Sequence, residues 1–464
     1  MQLTGRLAVL LWLCLLAVPL PAAGGGSGRF WHLTDLHWDP GYEAAAAAGR
    51  PCPSGGDRAG PAGPWGSYLC DSPWSLLRSA ARAMRGRLPA PDFVLWTGDD
   101  TPHVPNEQLG EEKVLHIIAN LTSLINETFP GTKVYAAMGN HDFHPKNQFP
   151  GKEHRIYSQT AELWRPWLSD ASLPLFRAGR VQFNADFCLG ALLARREIIL
   201  YFSLSCHCQV TGKNAEGGKI SLKVAAGAGS AGALQSCPAP GAAHCTHSGL
   251  HWERHENDKR HTGKSHCKST SWSAQGTGLQ SQFVLHFCEG APINVMFLAP
   301  GVTPWKTTLP GVSNGANNPA IRVIEYDQDT LRVLDMVTYY LNLTRANTMS
   351  SPREEEFPVW EEEYRLTEAF QVPDGSASSM QAVLEKISSD PHYLQLYYEL
   401  NSARYDLEQC QQECRVDHLC AIREVDFTKY DECVKTNSSA SAASRVWLLV
   451  FCMLLGFLSP QRVL

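Results

Sequence analysis

The chain has no excess of positive charge. Its 464 residues carry 40 Lys and Arg against 46 Asp and Glu, a net charge of -6. That removes the electrostatic footprint of a nucleic-acid binder. It also lacks any apolar run of the roughly 20 residues that a membrane-crossing helix needs. Two shorter runs stand near its ends, Leu7–Leu20 and Val446–Leu458. Four clustered cysteines toward the C-terminus, Cys410, Cys414, Cys420 and Cys433, lack the paired C-x-x-C spacing of a zinc knuckle. Glycine and proline are plentiful instead, 37 and 29 residues, which favours a loop-rich sheet architecture over a helical bundle. The length suffices for one large domain plus a small one.

The end runs read as processing signals. Arg6, the run Leu7–Leu20 and the small residues Pro21-Ala22-Ala23 make residues 1–23 a secretory signal. Ser438-Ser439-Ala440-Ser441-Ala442-Ala443-Ser444 before Val446–Leu458 makes residues 437–464 a glycosylphosphatidylinositol attachment signal. The expected location is outside the cell, secreted or held on the outer face of the plasma membrane. Cysteine usage agrees: Cys52 and Cys70 bracket one loop, and the four late cysteines form a second even group, as disulfides in an oxidising compartment require. The sequons at Asn120, Asn126 and Asn342 are candidate glycosylation sites, with a fourth, Asn437, beside the anchor signal.

Residues 29–180 alternate strand-like runs with amphipathic stretches at Pro73–Arg87 and Glu111–Phe129. Residues 292–345 read as a strand, Ile293–Leu298, followed by Ala320–Tyr326 and Leu331–Leu341 across the turn Asp327-Gln328-Asp329. Residues 353–436 open on acidic Glu354–Glu363 and continue with helical spacing at Met380–Ser388 and His392–Leu407. Residues 181–290 differ. Ile198–Leu204 could be a strand, but Ala225–Ala243 is low-complexity and His244–His286 is rich in His, Ser and Lys. Such composition buries a core poorly. Its cysteines, Cys188, Cys206, Cys208, Cys237, Cys245, Cys267 and Cys288, are odd in number, leaving at least one thiol unpaired within the segment.

Three short motifs carry the chemistry. Asp35-Leu36-His37 follows the apolar run Phe30–Leu33, Gly98-Asp99-Asp100 follows Phe93–Trp96, and Gly139-Asn140-His141-Asp142 follows Val134–Met138. Strands deliver their last side chains to one sheet edge, so the three can meet. Asp35 and His37 would face one cation, Asp99 would bridge two, and Asn140 would give the second an amide oxygen. Two such ions clamp a phosphoryl group and activate water. His141 would protonate the leaving oxygen, with Asp142 orienting its ring. His103 is a candidate substrate contact.

Longer stretches around these motifs resemble the acid sphingomyelinase family of calcineurin-like metallophosphoesterases. They are Phe30-Trp31-His32-Leu33-Thr34-Asp35-Leu36-His37, Asp71-Ser72-Pro73-Trp74, Trp96-Thr97-Gly98-Asp99-Asp100-Thr101-Pro102-His103, Gly139-Asn140-His141-Asp142-Phe143-His144-Pro145, Pro300-Gly301-Val302-Thr303-Pro304 and Asn317-Asn318-Pro319-Ala320. The resemblance implies an α+β fold, a β-sandwich flanked by helices over residues 29–345, with a small disulfide-stapled helical module at 353–436. It implies two Zn²⁺ ions and hydrolysis of small phosphodiesters of the nucleotide or choline-phospholipid type; a monomer is the expected state.

The resemblance breaks off near Arg180 and resumes near Gly290. The family pattern needs three more histidines, one in a G-H-x-P-P loop and two in a G-H-x-H loop. This chain has neither motif. His244, His247, His251, His255, His261, His266 and Cys206-His207-Cys208 fit no closed metal site in their place. Two expectations therefore stand: a two-zinc phosphodiesterase, or a catalytically impaired relative that binds lipid or partners at the membrane surface.

Overall fold

The computed structural model describes residues 26–44, 51–55, 62–179, 249–252, 281–288, 290–304, 315–348, 357–424 and 428–438. The expected signal peptide, Ile198–Leu204, most of the 181–290 segment and the apolar tail after residue 438 lie outside these. No helix among the described residues is long and apolar enough to cross a membrane.

Strands β1 (Ser27–Leu33), β2 (Phe93–Trp96) and β3 (Val134–Ala136) run parallel, and β1 also pairs antiparallel with β7 (Ala320–Asp327). β8 (Val333–Tyr340) and β9 (Glu361–Arg365) complete a six-stranded sheet of order β3-β2-β1-β7-β8-β9. A second sheet has order β4-β6-β5, from Gly249–Trp252, Ala291–Leu298 and Phe283–Cys288. Side chains alternate across each strand, and this decides the layers. Trp31, Leu33, Val94, Trp96, Ile321 and Val323 face one core. That core is closed by α1 (Trp74–Arg87), α3 (Glu111–Thr128) and α4 (Arg155–Leu163), through Leu76, Leu77, Ile118, Leu121, Ile156 and Tyr157. Phe30, Leu95, Ile324 and Tyr326 face the other core, against Phe283, Leu285, Val295 and Phe297 of the second sheet. The expected sandwich flanked by helices is thus present. Short α2 (Asn106–Leu109) precedes α3, α5 (Leu173–Arg177) follows α4, and α6 (Leu343–Ala346) follows β8.

Two features go beyond these expectations. The 181–290 segment, set aside on composition, supplies β4 and β5, both antiparallel to β6. Phe283 and Leu285 are buried because they stand two apart on one strand face. Residues 353–436 are not purely helical, since Glu361–Arg365 pairs with β8 at the sheet edge. Beyond it, α7 (Leu366–Phe370), α8 (Ala377–Ser389), α9 (Pro391–Asn401) and α10 (Gln412–Arg423) follow, then a helical stretch at 428–438. Ser376 caps α8 through Ser379 N–H, and Asp390 caps α9 through His392 N–H. Helix α9 stops at Asn401, short of the expected Leu407, because Ala403 and Arg404 turn into left-handed φ of 49° and 58°. Disulfides join Cys52 to Cys70, Cys410 to Cys414 and Cys420 to Cys433.

Candidate metal centre

The site forms where the three parallel strands end together. Leu33 pairs with Trp96, and Trp96 with Ala136. The chain ends then interlock: Asp35 N–H donates to Gly98 O at 3.0 Å, and His37 N–H to Asp99 O at 3.1 Å. Asp35, His37 and Asp99 all adopt left-handed φ, 49°, 36° and 59°. For residues other than glycine such backbone costs on the order of 1–3 kcal/mol each, and it gathers at functional sites. The glycines of the motifs permit the approach. A Cβ on Gly98 would lie 2.2 Å from Gly139 N, and one on Gly139 would lie 2.2 Å from Asp99 Oδ1.

Asp35, His37 and Asp99 each place a donor atom within 4.8 Å of the other two; His37, His103 and His141 do the same. His37 Nδ1 lies 2.6 Å from the Thr101 carbonyl, which only accepts. Nδ1 therefore carries the hydrogen and Nε2 is turned inward, 3.6 Å from Asp35 Oδ1. Burial acts to lower the His37 pKa, but Asp35, Asp71 and Asp99 outweigh it and hold it at about 9. Burial, then repulsion from Asp35, pushes Asp99 up to about 8. Buried carboxylates crowded together, with an imidazole nitrogen aimed among them, fit a divalent cation of the Zn²⁺, Mn²⁺ or Fe type.

Asn140 lies between Gly139 and His141, whose N–H donates to Asp99 Oδ1 at 3.0 Å. Its Nδ2 donates to Asn147 Oδ1 at 2.7 Å, so the amide oxygen is the group left to accept. The His141 ring centroid is 5.0 Å from His37 and 4.6 Å from His103. Burial, then the neighbouring His103 and His37, holds the His141 pKa well below its ordinary value, and among the described residues its buried Nδ1 has no hydrogen-bond partner.

Asp142 does not orient His141. Its carboxylate accepts from the backbone N–H groups of Asp99, Asp100, Thr101 and Gly139, at 3.0, 2.7, 3.3 and 2.8 Å. It is the anchor on which the second and third motifs turn. The sequence reading assigned no role to Asp71, which is fully buried. Asp71 Oδ1 accepts from His103 Nδ1 at 2.9 Å and from Thr303 Oγ1 at 3.2 Å, and Oδ2 accepts the His103 N–H at 2.5 Å. Burial pushes Asp71 up to about 6 against the pull of His37 and these hydrogen bonds. Its only sequence signal was membership of Asp71-Ser72-Pro73-Trp74. The loop at Gly301–Thr303 closes the site from the far half of the chain, with Thr303 N–H donating to Asp35 O at 3.0 Å. The positions where the late histidine loops would fall lie outside the described residues.

Glycosylation candidates are placed as follows: Asn126 is exposed, Asn120 is half-buried with Nδ2 on the His116 carbonyl, and Asn342 caps α6 through Arg345 N–H. Cys410 and Cys414, grouped in space with His418, are joined to each other as a disulfide.

Comparison with known proteins agrees with this geometry. Residues 28–191 match the family described as Calcineurin-like phosphoesterase, and residues 291–440 match the Acid sphingomyelin phosphodiesterase C-terminal region. Acid sphingomyelinase-like phosphodiesterase 3b of Mus musculus is 48% identical over 436 residues, covering 91% of this chain and 93% of the relative. The Homo sapiens protein of that name is 45% identical, covering 95% of this chain and 97% of the relative. Cyclic GMP-AMP phosphodiesterase SMPDL3A of Homo sapiens is 30% identical, covering 91% and 95%. With its strand-end motifs, its sheets and both halves matched, the chain belongs to the acid sphingomyelinase-like phosphodiesterases, a family of calcineurin-like phosphoesterases.

Proposed function

We propose that the site performs metal-dependent hydrolysis of small phosphodiesters, of the nucleotide or choline-phospholipid type. The convergence of Asp35, His37 and Asp99 within 4.8 Å carries the reading. Asp35, His37 and Asp99 would hold one zinc ion, and Asp99 with Asn140 would contribute to a second. Bound divalent ions would supply charge neutralisation at the phosphoryl oxygens and a water made more acidic. His103, fixed by Asp71, presents its ring beside the cluster as a substrate contact. His141 is the proton donor to the leaving oxygen. Its ring is neutral among cationic neighbours, and an arriving phosphodiester anion offsets that repulsion and favours its protonation.

One observation favours a second reading. The sequence has no G-H-x-P-P or G-H-x-H loop, and among the described residues Asp99 and Asn140 are the donors assigned to the second ion. On that reading the chain is catalytically impaired and acts at the membrane surface as a lipid- or partner-binding protein. Turnover of bis-p-nitrophenyl phosphate at acidic pH separates the two. Turnover that disappears in Asp99→Asn supports the hydrolase, and none above background supports the impaired form.

Secretion, the lipid anchor and glycosylation belong to the same proposal and rest on the sequence signals. Release of surface-bound protein by a phosphatidylinositol-specific phospholipase C tests the anchor. Retention after treatment counts against it.

A further inference from the structure

Lys146 follows the Gly139–Asp142 motif by four residues, and its backbone N–H donates to Asn106 Oδ1 at 3.1 Å. Its half-buried side chain reaches back to the preceding loop. Nζ donates to the Pro102 carbonyl at 2.8 Å and to the Val104 carbonyl at 2.7 Å. These two carbonyls flank His103. The Pro102 carbonyl and the His103 N–H belong to one peptide group, and Asp71 Oδ2 accepts from that N–H. That peptide plane is therefore pinned on both edges, by an ammonium on one and a carboxylate on the other. Charge-assisted hydrogen bonds of this kind are about twice as strong as neutral ones. Asp71 Oδ1 then holds the ring through Nδ1. The His103 ring lies 4.2 Å from His37 and 4.6 Å from His141, centroid to centroid.

We propose that Lys146 is a positioning residue for His103: by tying the carbonyls on either side of it, the ammonium fixes the angle at which the imidazole meets the metal-binding cluster and the substrate. This rests on the phosphodiesterase reading for its consequence, but not for its geometry. A solvated lysine that happened to touch two carbonyls would be interchangeable with other polar residues. A lysine acting through His103 has no effect once the imidazole is gone. Arginine can donate to two carbonyls and methionine to none, which gives a graded series.

The test is a cycle of Lys146→Met, Lys146→Arg, His103→Ala and the Lys146→Met/His103→Ala double variant in the full chain. Two readouts are taken: kcat/KM for bis-p-nitrophenyl phosphate, and the ring resonances of His103 against those of His116 on α3. The expected result is a loss of about tenfold in kcat/KM for Lys146→Met, partial rescue by Lys146→Arg, and less than a twofold further loss when Lys146→Met is added to His103→Ala. The His103 ring resonances shift in Lys146→Met and those of His116 do not. If the parent protein shows no turnover, the phosphodiesterase reading fails and the resonances still decide the inference. Unshifted His103 resonances in Lys146→Met, or a Lys146→Met loss fully additive with that of His103→Ala, overturn it.

Discussion

Asp142 and Glu363 are both buried carboxylates, and they mark opposite ways of living with burial. Asp142 accepts four backbone N–H groups and organises the loops of the candidate metal site. Among the described residues, neither carboxyl oxygen of Glu363 has a hydrogen-bond partner. Burial raises its pKa from 4.5 to about 8, against the weaker pull of Arg404 and Arg322. The sign follows from linkage. The folded state holds the proton more tightly than the unfolded one, so no penalty exists below the unfolded value. The penalty grows as pH rises from about 4.5 toward 8, on the order of a few kcal/mol at most. Thermal unfolding should therefore show a stability loss between pH 5 and pH 8 that Glu363→Gln diminishes. An unchanged slope in that variant counts against the assignment. None of this was legible in the chain. Asp142 stood in a recognised motif, yet its partners, Asp99, Asp100 and Thr101, lie about 40 residues away in sequence. A role set by such distant backbone groups has no local signature.

At the scale of elements, β1, β2, β3, β7 and β8 were legible because their apolar residues recur on strand faces. Strand β9 was hidden by its own composition. Glu361-Glu362-Glu363-Tyr364-Arg365 reads as an exposed acidic run, but an edge strand tolerates charge, and Tyr364 alone joins a core. Strand β5 was hidden by its neighbours, since a short apolar run next to low-complexity sequence loses its context. The disulfides were legible as groups and acquired partners in the fold. The Cys52–Cys70 bridge spans 18 residues and the Cys410–Cys414 bridge only 4. Loop-closure entropy then assigns about 3 kcal/mol to the first and about 2 kcal/mol to the second. Chemical denaturation of Cys52→Ser/Cys70→Ser should show the larger loss of the two double variants. The reverse order would mean that strain or residual unfolded structure dominates.

At the scale of the whole molecule, the site belongs to both halves of the chain. Strand β1 pairs with β7, Thr303 reaches Asp35 and Asp71, and Trp65 N–H donates to Asn347. A metal centre built at the end of a parallel strand group needs this closure from the far side, which a reading of three strand-end motifs could name but not place. Asp35, His37 and Asp99 form a candidate site for one divalent cation. For the proposed second ion, the sequence lacks the G-H-x-P-P and G-H-x-H motifs of the family pattern. Zinc content of the purified full chain, measured by mass spectrometry before and after dialysis, tests that account most directly. It predicts fewer than two zinc ions retained per chain, and their loss in Asp99→Asn. Two tightly held zinc ions with robust turnover, or zinc retention unaffected by Asp99→Asn, would contradict it.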